Sequence, residues 1–379
     1  MHVTNAGGHG RVQRGGAERG VMDLIRSRDK LKYDVLLVCP PDMIGWLDAP
    51  DVETVAMRPV HAMDPQFLGR LIRLMRARRP SIVHGHLLSG SSHARVAARI
   101  AGVPFVISDL HNSLAALLRV AGGRRWWLRP RYGVYAAAER ILANHFTSVN
   151  IAISPSVAAD MKALGIAPGS IRVIPNWVDT ELFRPLRADL RDRLRKERFG
   201  DAIGIVAAGR LESTKGFDLL LTTCALFERE WRLVVLGDGE RREALAAQAR
   251  ALGITGNVEM LGYQSDIASW FACADVVAVP SLVEGFGRSA VEALATGTPV
   301  VASAADGLVG VLGGLAGATL VSGRDPGAWK AAMISAVDIR ASRESISEGV
   351  GRRYSLVSAA SRYERLYDCL LAATPGKSR

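Results

Sequence analysis

Short apolar runs alternate with amphipathic stretches through almost the whole chain, and neither an all-helical bundle nor an all-β sandwich can absorb that pattern. Runs of this kind read as strands buried on both faces, and the amphipathic stretches between them read as helices covering a parallel sheet. In the first half the expected strands are Val35-Leu-Leu-Val-Cys39, Ser81-Ile-Val-His84, Pro104-Phe-Val-Ile107 and Asn150-Ile-Ala-Ile153, with Met1-His-Val-Thr4 as a short opening strand. In the second half they are Gly204-Ile-Val-Ala-Ala208, Arg232-Leu-Val-Val-Leu236, Asn257-Val-Glu-Met-Leu261, Asp275-Val-Val-Ala-Val279 and Pro299-Val-Val-Ala302. Helices are expected over Phe67 to Arg79 and Arg241 to Leu252, each apolar on one face and arginine-rich on the other. A chain of 379 residues is too long for one ordinary core. The pattern breaks after Ile171-Arg-Val-Ile-Pro-Asn-Trp-Val-Asp179, which sets a first domain at 1–178 and a second at 201–354. Residues 179–200 are expected to link them, with Leu186 to Gly200, dense in Arg, Asp and Glu, as an exposed helix leading into the second domain, and a final helix over 355–371 is assigned to the first domain. The fold class is therefore α/β, with two parallel-sheet domains facing across a cleft where a ligand would sit.

Charge and cysteine usage narrow the function. Residues 1–198 carry 30 Lys+Arg against 17 Asp+Glu, whereas residues 199–379 carry 18 against 20, so the whole excess of positive charge lies in the first half. An anionic partner is expected there: an anionic membrane surface or a lipid-linked phosphate substrate. A nucleic acid is not, because no RRM, KH, helix-turn-helix or zinc-finger pattern is present. Cys39, Cys224, Cys273 and Cys369 lie far apart without metal-ligand spacing and are expected to be reduced thiols of a cytoplasmic protein. No stretch near Met1 has the order of a signal peptide, and the uncharged run Gly307 to Gly323 contains six glycines, so it is expected to be a turn-rich part of a domain.

Two segments of the second half carry the chemistry. In Val276-Val-Ala-Val-Pro-Ser-Leu-Val-Glu-Gly-Phe-Gly-Arg-Ser-Ala-Val-Glu292 a buried strand ends at Pro280, a loop carries Glu284-Gly285-Phe286-Gly287, and a helix starts near Arg288. Backbone N–H groups at such a helix start can bind phosphate oxygens, and Gly285 and Gly287 admit a ligand close to the main chain. Glu284 would reach sugar hydroxyls from the loop, and Glu292 would accept hydrogen bonds from ribose hydroxyls. Taken alone, the same E-x7-E spacing also describes an ordinary surface glutamate behind a glycine-shaped turn. The second segment, Ile205 to Leu221, repeats strand, loop and helix with Arg210 at the strand end and Lys215-Gly216 at the next helix start. Two cations there can neutralise a diphosphate leaving group, which is the task a divalent metal performs in other transferases. No D-x-D motif occurs, so no cofactor and no metal ion are expected.

Gly209-Arg-Leu-x3-Lys-Gly216, Leu236-Gly-Asp-Gly239, Leu261-Gly-Tyr263 and Glu284-Gly-Phe-Gly-x4-Glu292, taken together, resemble the retaining GT-B glycosyltransferases of family 4. The resemblance implies two Rossmann-like domains and transfer of a hexose or N-acetylhexosamine, from a UDP-sugar ahead of a GDP-sugar, to a cell-envelope glycan or lipid-linked acceptor. It implies that Arg210 and Lys215 hold the donor diphosphate, that Glu284, Gly285, Phe286 and Gly287 contact the sugar and phosphates, and that Glu292 binds the ribose. In the first half Arg14-Gly-Gly-Ala-Glu18 is similar to the family's glycine-rich loop, which assigns Gly15 and Gly16 to the donor phosphates. His111, in Ser108-Asp-Leu-His111, matches the histidine that faces the donor sugar. Asn176-Trp-Val-Asp179 resembles the family's hinge motif with Trp177 in place of glycine, and the family's acidic residue beyond Ala302 has no counterpart in Ala305 to Leu312.

Gly122-Gly-Arg-Arg-Trp-Trp-Leu-Arg-Pro-Arg-Tyr132 interleaves arginines with rings in the way that suits a bilayer headgroup region. Arg124, Arg125, Trp126 and Trp127 are therefore assigned to the acceptor and membrane side, on the inner face of the cytoplasmic membrane. A helix that buries its tryptophans in the core while its arginines are solvated is the other reading of this stretch. Two further functions fit part of the pattern: a nucleotide-sugar epimerase on the same scaffold, and a non-catalytic binder of anionic polymers that uses the basic half alone.

Overall fold

The structure is a computed structural model that describes all residues except 5–15, 46, 48, 61–63, 87, 111–128, 340 and 374–379; side chains are also left aside at 16–19, 88–90, 129–132 and 306. Among the described residues, thirteen strands form two sheets in which every pairing is parallel. The strands are β1 (His2–Thr4), β2 (Leu36–Cys39), β3 (Glu53–Ala56), β4 (Ile82–His86), β5 (Phe105–Leu110), β6 (Val149–Ala152), β7 (Ile171–Val173), β8 (Ile203–Ala208), β9 (Trp231–Leu236), β10 (Val258–Gly262), β11 (Val276–Val279), β12 (Val300–Ser303) and β13 (Ala318–Val321). The first sheet has the order β3-β2-β1-β4-β5-β6-β7 and the second β10-β9-β8-β11-β12-β13. Both are doubly wound. The chain moves outward from the central strand in one direction, then returns to its other side and winds outward again, which places a crevice at β1/β4 in one sheet and at β8/β11 in the other.

The chain divides into two compact units, Met1–Asn176 with Leu356–Arg379, and Trp177–Ser355. In the N-terminal unit Val3, Val38, Val83 and Val106 pack against Phe67, Leu71 and Met75 of the helix Pro65–Arg78. Asp64 caps that helix by accepting from the backbone N–H groups of Gln66 and Phe67 at 2.9 and 3.0 Å, which fixes where it begins. In the C-terminal unit Ile205, Leu233, Val235, Ala278 and Val301 face Phe217, Leu220, Trp329 and Met333.

Three strands were not expected from the sequence: β3, β7 and β13. Each lies at a sheet edge, where one side has no neighbour and the apolar run is correspondingly weak; two of the three residues of β7 are exposed. The stretch Gly307 to Gly323 is more regular than its glycines imply, since it holds most of the helix Asp306–Leu312 and all of β13. Leu308, Val311 and Leu312 are each no more than 1% exposed, and their burial outweighs the low helix propensity of the glycines. The segment expected as an exposed linker helix forms Ala188–Phe199, but its inner side is docked on the C-terminal unit. Arg195 holds Asp275 through two N–H donors at 2.9 and 2.8 Å, Arg198 stacks over Trp270 at 4.0 Å, and Phe199 is buried. Among the described residues no helix is long and apolar enough to cross a membrane, and all four cysteines are free thiols, with Cys369 exposed.

The sheet of the N-terminal unit buries an ionised carboxylate. Asp109 accepts hydrogen bonds from His84 Nε2 at 2.7 Å and His86 Nδ1 at 2.8 Å. The interaction of these imidazoles with the carboxylate holds Asp109 well below the usual carboxylate range although burial opposes it. Because a carboxylate only accepts, those two ring nitrogens carry the hydrogens. His84 Nδ1 is left facing the Tyr367 hydroxyl at 2.8 Å, and His86 Nε2 is left facing His2 Nδ1 at 2.8 Å. Tyr367 and the buried Tyr363 belong to the final helix Leu356–Ala372, which is thereby tied to the sheet. Burial pushes His86 down to about 4, and burial together with the neighbouring histidines pushes His2 well below its ordinary value.

A group whose folded pKa lies below its unfolded value loses stability as pH falls from the unfolded value toward the folded one. His86, held down at about 4 by burial, therefore costs the fold stability progressively as pH falls from the ordinary histidine value of about 6.5 toward 4. The urea midpoint should therefore fall more steeply over that window in the wild type than in His86→Gln. Equal slopes would contradict the assignment.

Candidate donor-binding site in the C-terminal unit

The carboxyl ends of β8 and β11 lie side by side because these strands pair at the point where the winding of the second sheet reverses. Beyond β8 the chain runs through Gly209 and Arg210 to a single 3-10 turn, Ser213–Lys215, and then into the helix Phe217–Cys224. Beyond β11 it runs through Pro280 and Glu284 into the helix Arg288–Ala295. The two loops touch through their backbones, with Leu282 N donating to Thr214 O at 2.8 Å.

Glycine makes that approach feasible. Gly216 has φ +68°, and a Cβ there would sit 2.0 Å from Pro280 O. A Cβ at Gly307, near the start of the helix Asp306–Leu312, would sit 2.0 Å from Glu284 O. No side chain fits either distance, so the strand ends pack main chain against main chain and the loops above them are held in place.

This packing brings Lys215 Nζ to Glu284 Oε1 at 2.5 Å, and Ser281 Oγ donates to the same oxygen at 3.0 Å. Their side chains are 23% and 13% exposed, so the pair is largely screened from water yet still reachable from the crevice. Arg210 is placed differently. Its side chain is 68% exposed and its guanidinium contacts Glu212 at 2.8 Å, so it stands at the rim. Glu292 is buried one helical turn behind Arg288, whose Nε donates to Glu292 Oε1 at 3.0 Å. The Phe286 ring is buried edge-on against Tyr354 at 5.3 Å, so any contact of Phe286 with a ligand is confined to its main chain. Gly285 lies in the same loop, and Gly287, at φ +77°, stands at the start of the helix Arg288–Ala295.

Of the N-terminal residues singled out by the sequence, Gly16 is the first residue of the helix Gly16–Arg26. Gly15, His111, Arg124, Arg125, Trp126 and Trp127 lie outside the described residues. Two participants were not anticipated, Ser281 and Arg288. Arg288 was accessible in principle, since Arg288 and Glu292 stand four apart on a helix, the spacing at which opposite charges meet. Ser281 gave no such signal, because its contact depends on how the loop turns.

Two glycine-rich turns at a switch point, each followed by a helix start, with a lysine and a carboxylate meeting between them, form the kind of crevice in which open α/β sheets hold ligands. The Glycosyl transferases group 1 model matches residues 191–352 and the Glycosyltransferase Family 4 model matches residues 14–182. The chain is 33% identical over 326 residues to D-inositol 3-phosphate glycosyltransferase 1 of Catenulispora acidiphila, covering 79% of this chain and 75% of that protein. It is 29% identical over 254 residues to the MMP alpha-(1->4)-mannosyltransferase of Mycolicibacterium hassiacum, covering 64% and 59%. Among solved structures, the fold is similar to that of Anabaena Alr3699/HepE in complex with UDP-glucose, with TM-score 0.80 at 21% identity over 97% of this chain and all of that one. It is also similar to a glycosyltransferase from Rickettsia africae, with TM-score 0.76 at 16% identity over 98% and 99%. The chain belongs to glycosyltransferase family 4, and its two Rossmann-like units are those of a GT-B enzyme.

The backbone contact at Gly216 gives a direct test. Gly216→Ala must move Pro280 or unwind the turn, in addition to the cost of a left-handed alanine of roughly 1 kcal/mol. Gly253 has φ +70° but open space around its Cβ position, so Gly253→Ala carries the conformational cost alone. Denaturant titration should show Gly216→Ala to be destabilised by at least about 2 kcal/mol more than Gly253→Ala. Equal losses would show that the loops are not locked together.

Proposed function

We propose that the protein transfers a hexose or N-acetylhexosamine, with retention of anomeric configuration and without a metal ion, from a nucleoside-diphosphate sugar to a phosphate-bearing acceptor. The observation that carries this reading is the Lys215–Glu284 pair between two helix starts at the β8/β11 crevice. A diphosphate entering there would take Lys215 from Glu284, with Arg210 closing from the rim and backbone N–H groups supplying further donors. Glu284, released, would accept hydrogen bonds from sugar hydroxyls, and Glu292 would hold the ribose. As the bond from the anomeric carbon to phosphate oxygen loosens, the cations stabilise the leaving charge. The acceptor hydroxyl then attacks from the same face and gives its proton to a leaving-group phosphate oxygen. By the family resemblance His111 is assigned to the donor sugar and Gly15 and Gly16 to the donor phosphates in this reading, and a UDP-sugar is proposed ahead of a GDP-sugar.

The acceptor side rests on charge and on relatives. The first half of the chain holds the positive excess, and the Catenulispora relative is named for a phosphorylated inositol acceptor. A lipid-linked acceptor places the phosphate at a membrane surface, where Arg124, Arg125, Trp126 and Trp127 would dock the enzyme. A soluble phosphorylated polyol is the second reading, favoured by that relative. The relatives named here are transferases, which favours transfer to an acceptor over epimerisation or polymer binding.

The test is a panel of nucleotide sugars offered with either inositol phosphate or a membrane-lipid extract, with products detected by mass. Lys215→Ala should lower kcat by about 100- to 1000-fold while leaving the acceptor KM within a few-fold. An unchanged kcat would remove the clamp. Product formed only with the lipid extract, together with pelleting on anionic vesicles that Arg124→Ala/Arg125→Ala abolishes, would select the membrane acceptor. Product with inositol phosphate and no pelleting would select the soluble one.

A further inference from the structure

We infer that His2, His84 and His86 form a binding site for one borderline divalent cation of the zinc or cobalt type within the N-terminal unit. This inference does not rest on the proposed function. The parallel register pairs His2 with His84 and Thr4 with His86. Side chains two apart on a strand share a face, so all four project from the same face of the β1/β4 switch point. One ring nitrogen from each histidine lies within 4.8 Å of one from each of the others. The chemistry of the donor set fits: three imidazoles suit zinc, cobalt, nickel and copper and suit magnesium or calcium poorly.

Three further observations point to a cation. First, Asp109 accepts from His84 Nε2 and His86 Nδ1, and so turns His84 Nδ1 and His86 Nε2 outward as lone-pair donors. A carboxylate behind the imidazole is the arrangement that orients metal-binding histidines, and its negative charge compensates part of the ion's charge in a buried site. Second, Thr4 Oγ1 is buried without a hydrogen-bond partner among the described residues, and it stands in register beside His86. An unpaired buried hydroxyl is costly, and a cation would give it a partner as a neutral fourth donor. Third, His2, His84, Tyr363 and Tyr367 line a cavity of ≈ 270 Å³, which gives a small ion a route to an otherwise enclosed cluster.

The same nitrogens are paired with one another in the structure. His2 Nδ1 and His86 Nε2 are 2.8 Å apart, whereas nitrogens on one tetrahedral zinc stand about 3.3 Å apart. Loading therefore opens that pair by about half an ångström. It also moves the His2 hydrogen from Nδ1 to Nε2 and turns the Tyr367 hydroxyl away from His84 Nδ1. No proton leaves the protein, because His2 is neutral in both forms.

The last step provides the sharpest test. Full-length protein treated with chelator would be dialysed against Co²⁺ or Zn²⁺, passed over a sizing column, and measured for bound metal, for the visible spectrum of Co²⁺, and for thermal stability. The wild type should retain one ion per chain with a four-coordinate Co²⁺ spectrum, and Zn²⁺ should raise its Tm. His86→Gln should lose the ion and the Tm response, while His93→Gln, outside the cluster, should keep both. Tyr367→Phe removes the competing hydrogen bond to His84 and should bind Co²⁺ several-fold more tightly, whereas a purely structural network would only lose stability. No ion retained by the wild type, or retention unchanged in His86→Gln, would overturn the site. So would weaker Co²⁺ binding by Tyr367→Phe.

Discussion

Two strands that are neighbours in space, β8 and β11, are separated in sequence by two complete strand-helix excursions, and the candidate site depends on the contact between their carboxyl ends. The contact is made by main chain, at Gly216 against Pro280 and at Gly307 against Glu284, where side chains would otherwise hold the loops apart. Once the loops are locked, Lys215 has little choice of partner, and Glu284 meets it with Ser281 on the same oxygen. An ion pair at this depth is only modestly stabilising, because water has been given up by both charges. In the function proposed above, its value lies in holding a cation ready in the crevice, with a carboxylate that a diphosphate would displace.

The N-terminal unit solves a different problem at the equivalent place. Its central strands put His2, His84 and His86 around Asp109, so the carboxylate keeps its charge in the interior by accepting two imidazole hydrogens. The final helix joins that network through Tyr367, and Tyr33 reinforces the connection by donating to Asp368 at 2.6 Å. The chain thus passes through the whole C-terminal unit and returns to complete the first one. Elsewhere in the same unit, Arg95 and Glu139 form a two-pronged ion pair at 2.8 Å with almost no exposure, which ties the helix Leu88–Ala101 to Arg129–His145.

Much of this was legible in the sequence because central strands of a parallel sheet are apolar on both faces and announce themselves as continuous runs, as Ile205 to Ala208 and Val276 to Val279 do. Edge strands do so less consistently: Val258 to Gly262 was read, whereas Glu53 to Ala56, Ile171 to Val173 and Ala318 to Val321 went unread. Glu284 and Lys215 were visible as motif residues, but their partnership was not, since it follows from strand order. Ser281 was invisible because its role rests on the path of one loop. The histidine cluster was missed because its three members are spread over two distant segments, and only the pairing of β1 with β4 makes them neighbours.

Amide hydrogen exchange with and without a UDP-sugar tests the central claim most directly, because it reads the backbone groups that the donor would meet. Protection should appear in the segments spanning Gly209 to Phe217 and Glu284 to Arg288, where the two loops run into their helices. Protection confined to the N-terminal unit, with these two segments exchanging as before, would contradict a donor site at the β8/β11 crevice.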